Sequence, residues 1–180
     1  MKTQRDLNVT FGVIVGNRGF FPDKLVEKGR TKILNRFDEF GYDTIVLSEE
    51  DTEYGAVETR EDAKKCARLF DKHQKEIDGI IVTLPNFGDE KAIADTIRES
   101  NLDVPILVHA FPDQLGKMNL ANRRDSFCGK MSACNNLAQH GFPFSTTQHH
   151  VLDVDSQSFS EEIDKFAGVC RIVSGVRGAR

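Results

Sequence analysis

The chain has 180 residues and a net charge of −4; 39% of its residues are hydrophobic, among them 13 Phe, and 29% are charged. So many large apolar side chains exclude a disordered chain, and no apolar run approaches the roughly 20 residues of a membrane-spanning helix. The mildly acidic balance argues against a protein built to hold nucleic acid, and a chain this long buries roughly 70% of its unfolded surface, enough for one domain without metals or disulfides.

The first residues, MKTQRDLNV, have no apolar stretch of the kind that marks a secretory signal. Cys66, Cys128, Cys134 and Cys170 show none of the short spacings of zinc or redox motifs, so the expected setting is cytoplasmic, with reduced thiols.

Residues 9–15, VTFGVIV, are a β-branched apolar run, halted by Gly16-Asn17-Arg18-Gly19. Pro22-Asp23 then opens a helical pattern through Leu25, Val26, Gly29, Ile33, Leu34, Phe37 and Phe40, ended by Gly41. A second strand is expected over Asp43 to Leu47. After the polar SEEDTEYG loop, Thr59 with Asp62 three positions on caps a helix carrying Ala63, Cys66, Ala67, Leu69 and Phe70. A third strand, Asp78 to Leu84, breaks at Pro85-Asn86-Phe87-Gly88-Asp89, and a short helix follows over about Glu90 to Glu99. Val104 to Val108 reads as the fourth strand.

A long loop, His109 to Arg124, leads to a helix starting near Asp125 or Ser126. Its apolar positions Phe127, Met131, Cys134 and Leu137 keep a three-to-four spacing, and Gly141 stops it. A short fifth strand is expected around Phe144 to Thr147. In the last segment Ser158-Phe159-Ser160-Glu161 matches a capping box, and Phe159, Ile163, Phe166, Cys170 and Val173 continue one helical face. Arg171, Arg177 and Arg180 suit its negative end, so helix is chosen over strand for 169–176.

Continuous apolar strands alternating with helices are parallel neighbours buried on both faces. The expected fold is a three-layer α/β sandwich, flavodoxin-like or Rossmann-like, with a parallel sheet of about five strands. Residues 1–155 are expected to form this domain, and 156–180 a helix leading toward a second domain absent from the chain.

In such a sheet the ligand crevice lies beyond the carboxyl ends of the strands. That selects three tips: Gly16 to Phe21, Asn86-Phe87-Gly88, and His109 to Gln114. Together they offer amide and guanidinium donors, a carboxylate and aromatic faces, a mixture suited to a polyhydroxylated ligand. Tip glycines also serve tight turns, Arg18 also reads as a solvated loop charge, and a histidine at a strand end is more often a structural hydrogen-bonder than a catalyst. Gly16-x-x-Gly19 lacks the spacing of a dinucleotide fingerprint. His149, His150, Asp153 and Asp155 lie together in sequence, but adjacent histidines point apart in an extended chain, which favours a loop over a metal site. Cys128 falls in a first helical turn, where the dipole lowers a thiol pKa, although burial is the commoner fate of cysteine.

The most distinctive stretch is Asn122-Arg123-Arg124-Asp125-Ser126-Phe127-Cys128-Gly129-Lys130-Met131-Ser132-Ala133-Cys134-Asn135-Asn136-Leu137. It resembles a segment of proteins related to L-fucose isomerase and L-arabinose isomerase. Gly16 to Pro22 resembles that family's first loop, and Phe166 to Arg180 the helix leading into its second domain. The resemblance implies an aldose-ketose isomerase with a divalent metal, usually Mn²⁺, that binds the sugar's carbonyl and hydroxyl while a carboxylate base moves the proton between C2 and C1. The metal ligands and acid/base carboxylates of such enzymes lie in later domains, so no catalytic or metal-binding residue is carried onto this chain and no cofactor is expected within it.

In such trimers or hexamers the first-domain loops reach a neighbouring subunit's active site, and Arg18 stands where the family has a substrate-contacting Gln or Arg. The expected sugar-contacting residues are Asn17, Arg18, Asn86, His109, Arg123, Arg124 and Asp125. The leading reading is thus the N-terminal part of such an isomerase, inactive alone, in a homo-oligomer that takes a sugar and neither nucleic acid nor membrane. The alternative is a free-standing module binding a sugar or small anion; an apolar patch where a further domain docks favours the first reading, a polar surface the second. A flavin carrier, suggested by fold alone, is disfavoured because there is no Trp and only two Tyr to sandwich the ring, and no Ser/Thr-rich phosphate loop after the first strand.

Overall fold

A computed structural model describes residues 8–178. The apolar run forms β1 (Thr10–Val15), followed by α1 (Asp23–Glu39), β2 (Asp43–Ile45), a 3₁₀ turn at Glu53–Gly55, and α2 (Arg60–Lys72). Then come β3 (Gly79–Leu84), α3 (Glu90–Ser100), β4 (Ile106–Ala110), α4 (Ser126–Gln139), β5 (Ser145–Thr146) and α5 (Gln157–Gly178). The strands form one parallel sheet in the order β2-β1-β3-β4-β5. This is the three-layer α/β sandwich expected, in the flavodoxin-like strand order.

Each face of the sheet buries its own core. On one, Phe11, Val13, Val15, Ile81 and Leu107 meet Val26, Ile33 and Phe37 of α1 and Phe159, Ile163, Phe166 and Cys170 of α5. The Phe11 and Phe166 rings stack with centroids 5.7 Å apart. On the other, Ile14, Ile80, Val82, Leu84 and Val108 meet Phe70 of α2, Ile93 and Ile97 of α3, and Ala133 and Leu137 of α4. Burial on both faces explains why β1 and β3 read as unbroken apolar runs rather than alternating ones.

Helix boundaries follow capping chemistry. Thr59 and Asp62 form the expected capping box: the Thr59 hydroxyl accepts from the Asp62 amide at 3.2 Å, and the Asp62 carboxylate accepts from the Thr59 amide at 2.9 Å. Thr59→Ala is expected to cost about 1 kcal/mol. Urea denaturation with an unchanged slope and a lowered midpoint reads that loss; an unchanged midpoint would deny the cap a role.

Several expectations shift. The last helix is capped by Ser156 rather than Ser158, because the Ser156 hydroxyl accepts from the Phe159 amide at 3.2 Å. The helix does run through 169–176, and Arg177 pairs with Asp103 at 2.7 Å; Arg180 lies outside the described residues. β2 and β5 are shorter than their apolar patterns, as suits edge strands with one partner each. β4 begins two residues later than expected and ends at Ala110, so His109 sits inside the strand rather than in the loop beyond it. On α4 the buried face is Ser126, Gly129, Lys130, Ala133 and Leu137, while Phe127 and Met131 are exposed. Small residues, not the apolar stripe, turn that helix onto the sheet.

Candidate functional site

The chain leaves β1 toward β2 and leaves β3 toward β4 on the opposite side, so strand order reverses between β1 and β3. At such a reversal the two outgoing loops diverge to opposite faces and leave a crevice beyond the carboxyl ends. Here those loops are Gly16–Pro22 and Pro85–Asp89.

The loops meet through rings and guanidinium groups. Arg18 lies over the Phe87 ring at 5.2 Å, Phe87 stacks on Phe21 at 5.9 Å, and Arg123 lies over Phe21 at 5.7 Å. Two cations thus bracket an aromatic pair drawn from three separate segments, with cation–π attraction and ring packing both favourable. Phe20, beside Phe21 at 4.7 Å, is 74% exposed. Arg18 is aimed by the start of α3: its Nη1 donates to Glu90 at 2.8 Å, and its Nη2 lies 3.5 Å from Asp89. Asp89 in turn caps α3 by accepting from the Lys91 and Ala92 amides. A partly exposed guanidinium held in one orientation, beside aromatic faces, can donate to hydroxyl and carbonyl oxygens while the rings meet C–H surfaces.

Beneath Arg18 runs a buried relay of hydrogen bonds. The Gly88 amide donates to Asn86 Oδ1 (3.1 Å), Asn86 Nδ2 donates to Asn17 Oδ1 (2.7 Å), and Asn17 Nδ2 donates to Glu58 Oε2 (2.6 Å). Asn17 and Asn86 are buried and tie the β1 tip to the β3 tip. Glu58 went unnoticed in the sequence. It lies in a loop whose Val57 bridges Gly16 as a one-residue extension of the sheet, a return of the chain that no local pattern announces. Desolvation raises its carboxyl pKa, against the lowering effect of the Gly19 amide and Asn17.

Arg123, Arg124 and Asp125 approach from the β4–α4 connection. Arg124 Nη1 donates to the Pro85 carbonyl at 2.7 Å, and its guanidinium lies over Phe111 at 5.3 Å. The Asp113 carboxylate accepts from the backbone amides of Arg124 (2.7 Å) and Asp125 (3.2 Å). Asp125 adopts a left-handed conformation, φ 54°, which turns the chain into α4. Gly129 then brings α4 against the backbone of Phe87, where a Cβ would lie within 2.6 Å of the Phe87 Cα. Lys130 is buried, donating to Thr147 Oγ1 at 2.7 Å and to the His150 carbonyl at 3.1 Å, and desolvation pushes its pKa down to about 8. The distinctive 122–137 stretch therefore seats α4 on the loop that carries Phe87.

The structure gathers Asn17, Arg18, Asn86 and Arg123 around the crevice and sets Arg124 and Asp125 at its flank. His109 is apart from them, buried in β4 with both ring nitrogens engaged. Its Nε2 donates to the Leu152 carbonyl at 2.9 Å, which leaves Nδ1 to accept from the Thr83 hydroxyl at 3.0 Å. Desolvation pushes its pKa down to about 4. Cys128 departs from expectation. It is exposed at the start of α4, and the Asp125 carboxylate raises its thiol pKa, opposing the helix dipole. His150 packs on Phe127 at 5.1 Å, and Asp153 and Asp155 both pair with Lys32 at 2.7 Å. Among the described residues no three His, Cys, Asp or Glu side chains come together as a metal site. No described helix is long and apolar enough to cross a membrane.

Residues 12–177 match the family model described as fucose/sulfoquinovose isomerase, N-terminal domain. No curated protein matches the chain.

Proposed function

The chain belongs to the family of fucose/sulfoquinovose isomerase N-terminal domains, and on that premise we propose that it serves an aldose-ketose isomerase by walling a sugar pocket and making subunit contacts, without isomerising sugar unaided. The observation that carries this reading is the crevice at the strand reversal, where Arg18 is held by Glu90 and Asp89 over Phe87. A guanidinium fixed in this way selects for oxygen-rich ligands, and the neighbouring rings take the less polar faces of a sugar.

The surface supports a domain that works within a larger assembly. Val169, Ile172 and Val176 are spaced along one face of α5 and all exposed, with Ile172 at 68%, an unpartnered apolar stripe of the kind a further domain covers. At the crevice end, Phe20, Leu115, Met118 and Leu120 stand exposed on the loops that would meet a neighbouring subunit of a trimer or hexamer. These surfaces favour the isomerase-domain reading over a free-standing module. Among the described residues no three His, Cys, Asp or Glu side chains form a donor set for Mn²⁺. In the complete enzyme, in a cytoplasmic setting, the metal and the acid/base carboxylates would come from other domains.

The purified chain with Mn²⁺ and L-fucose, D-arabinose or L-arabinose should form no ketose beyond a protein-free control, and robust ketose formation would overturn the reading. Sugar titrations followed by amide chemical shifts should perturb Gly16–Phe21 and Phe87–Glu90. Arg18→Ala should weaken that binding about tenfold or more, the worth of a charged hydrogen bond. Shifts unchanged by the substitution would remove Arg18 from the pocket.

A further inference from the structure

A second concave feature at the same end of the sheet differs in chemistry from the Arg18 crevice. A cleft of about 250 Å³ opens between α1 and the β4–α4 connection, and its polar lining comprises Lys24, Lys28, Lys117, Arg124, Gln114 and Asn122. Four cations and two amides line it, with no carboxylate, in a chain whose net charge is −4. Arg18, by contrast, is neutralised by Asp89 and Glu90.

The cations converge on one cleft from two separate segments of the chain. Lys24 and Lys28 are four residues apart on α1, a spacing at which like charges repel. Lys24 Nζ donates to Asn122 Oδ1 at 2.9 Å, an uncharged partner. Arg124 is drawn partly out of water, with Nη1 on the Pro85 carbonyl and its face against Phe111. Nη1 is held by that carbonyl, and the guanidinium, which carries five N–H donors in all, lines the cleft. Of the acids that act on Arg124, Asp113 also accepts from backbone amides and Asp153 also pairs with Lys32, so each offsets only part of the guanidinium's charge. The volume lies just below the roughly 300 Å³ at which pockets for drug-sized ligands begin, which suits a small ligand.

We propose that the cleft between α1 and the β4–α4 connection binds a tetrahedral oxyanion, phosphate or a group of the same shape and charge, either free or carried on a small polyol. Arg124 meets two oxygens through its fork, the lysines neutralise the charge, and the Gln114 and Asn122 amides reach the remaining oxygens or neighbouring hydroxyls. The cleft adjoins the sugar crevice at Arg124, which flanks both, and its remaining lining residues belong to neither crevice loop.

Calorimetric titration of the 180-residue chain at low ionic strength, with inorganic phosphate, glucose 6-phosphate and glucose as separate probes, tests the assignment. Saturable binding in the millimolar range or tighter is expected for phosphate and glucose 6-phosphate, and none for glucose in this cleft. Glucose 6-phosphate binding at least about tenfold tighter than phosphate identifies a sugar-borne oxyanion, and equal affinity identifies the free ion. Lys28→Ala with Lys117→Ala, both at exposed positions, should weaken either ligand at least about tenfold while circular dichroism stays unchanged. The proposal fails if neither anion saturates at about 20 mM, or if the double variant binds as the parent does.

Discussion

Gly129→Ala is expected to destabilise the domain by about 3 kcal/mol, although alanine is the better helix former by about 1 kcal/mol. The sign reverses because α4 rests on the β3–α3 loop at this point. A Cβ at residue 129 would enter the carbonyl oxygen, carbonyl carbon and Cα of Phe87, which are backbone atoms that cannot rotate away. Either α4 lifts or the loop retreats, and both movements displace Phe87 from between Arg18 and Phe21. Gly168→Ala supplies the control. Nothing lies within 4 Å of a Cβ there, so in α5 the same exchange should stabilise by about 0.5–1 kcal/mol. Paired urea denaturations read both signs, and a Gly129→Ala protein as stable as its parent would mean that α4 does not sit on Phe87.

Lowering the pH from about 6.5 to about 4 should cost the domain about 3 kcal/mol through His109 alone. Above pH 6.5 its imidazole is neutral both folded and unfolded, and it contributes no pH dependence. Below that, the unfolded chain takes up a proton that the folded one refuses until its own pKa near 4. Burial is the main cause of the depression. The Lys130 charge adds to it, while the Leu152 carbonyl and Asp153 oppose it. His109→Gln should lower stability at pH 7, where the bonds to Thr83 and Leu152 are disturbed, and should flatten the decline toward pH 4. Denaturation midpoints at several pH values separate these effects, and parallel slopes in parent and variant would show that His109 does not refuse the proton.

The same histidine shows where sequence reasoning reaches and where it stops. Apolar runs separated by helical periodicity made the parallel sheet legible, because burial on both faces leaves a compositional mark on each strand. A polar residue inside such a run reads as its end. His109 is satisfied from Thr83, 26 residues earlier, and Leu152, 43 residues later, and neither distance carries a local pattern. On α4 the decisive signal was present but different in kind: Ser126, Gly129 and Ala133 are small residues at helical spacing, which mark close approach, while Phe127 and Met131 drew attention as hydrophobes. For the candidate site, the strand-tip rule selects Asn17, Arg18 and Asn86, which stand together on the loops after β1 and β3. It had no means of finding Glu58, which arrives through a one-residue bridge, or the basic cleft, whose lysines on α1 meet Lys117 and Arg124 from the far half of the chain.

The relay from the Gly88 amide through Asn86 and Asn17 to Glu58 has a direction, because each amide side chain accepts from one neighbour and donates to the next. Turning either amide over would set donor against donor and acceptor against acceptor, so both asparagines are confined to a single rotamer. The loops on either side of the crevice are therefore ordered by folding itself. A ligand arriving there loses its own freedom of motion but need not immobilise these two side chains, and more of its contact energy survives as affinity.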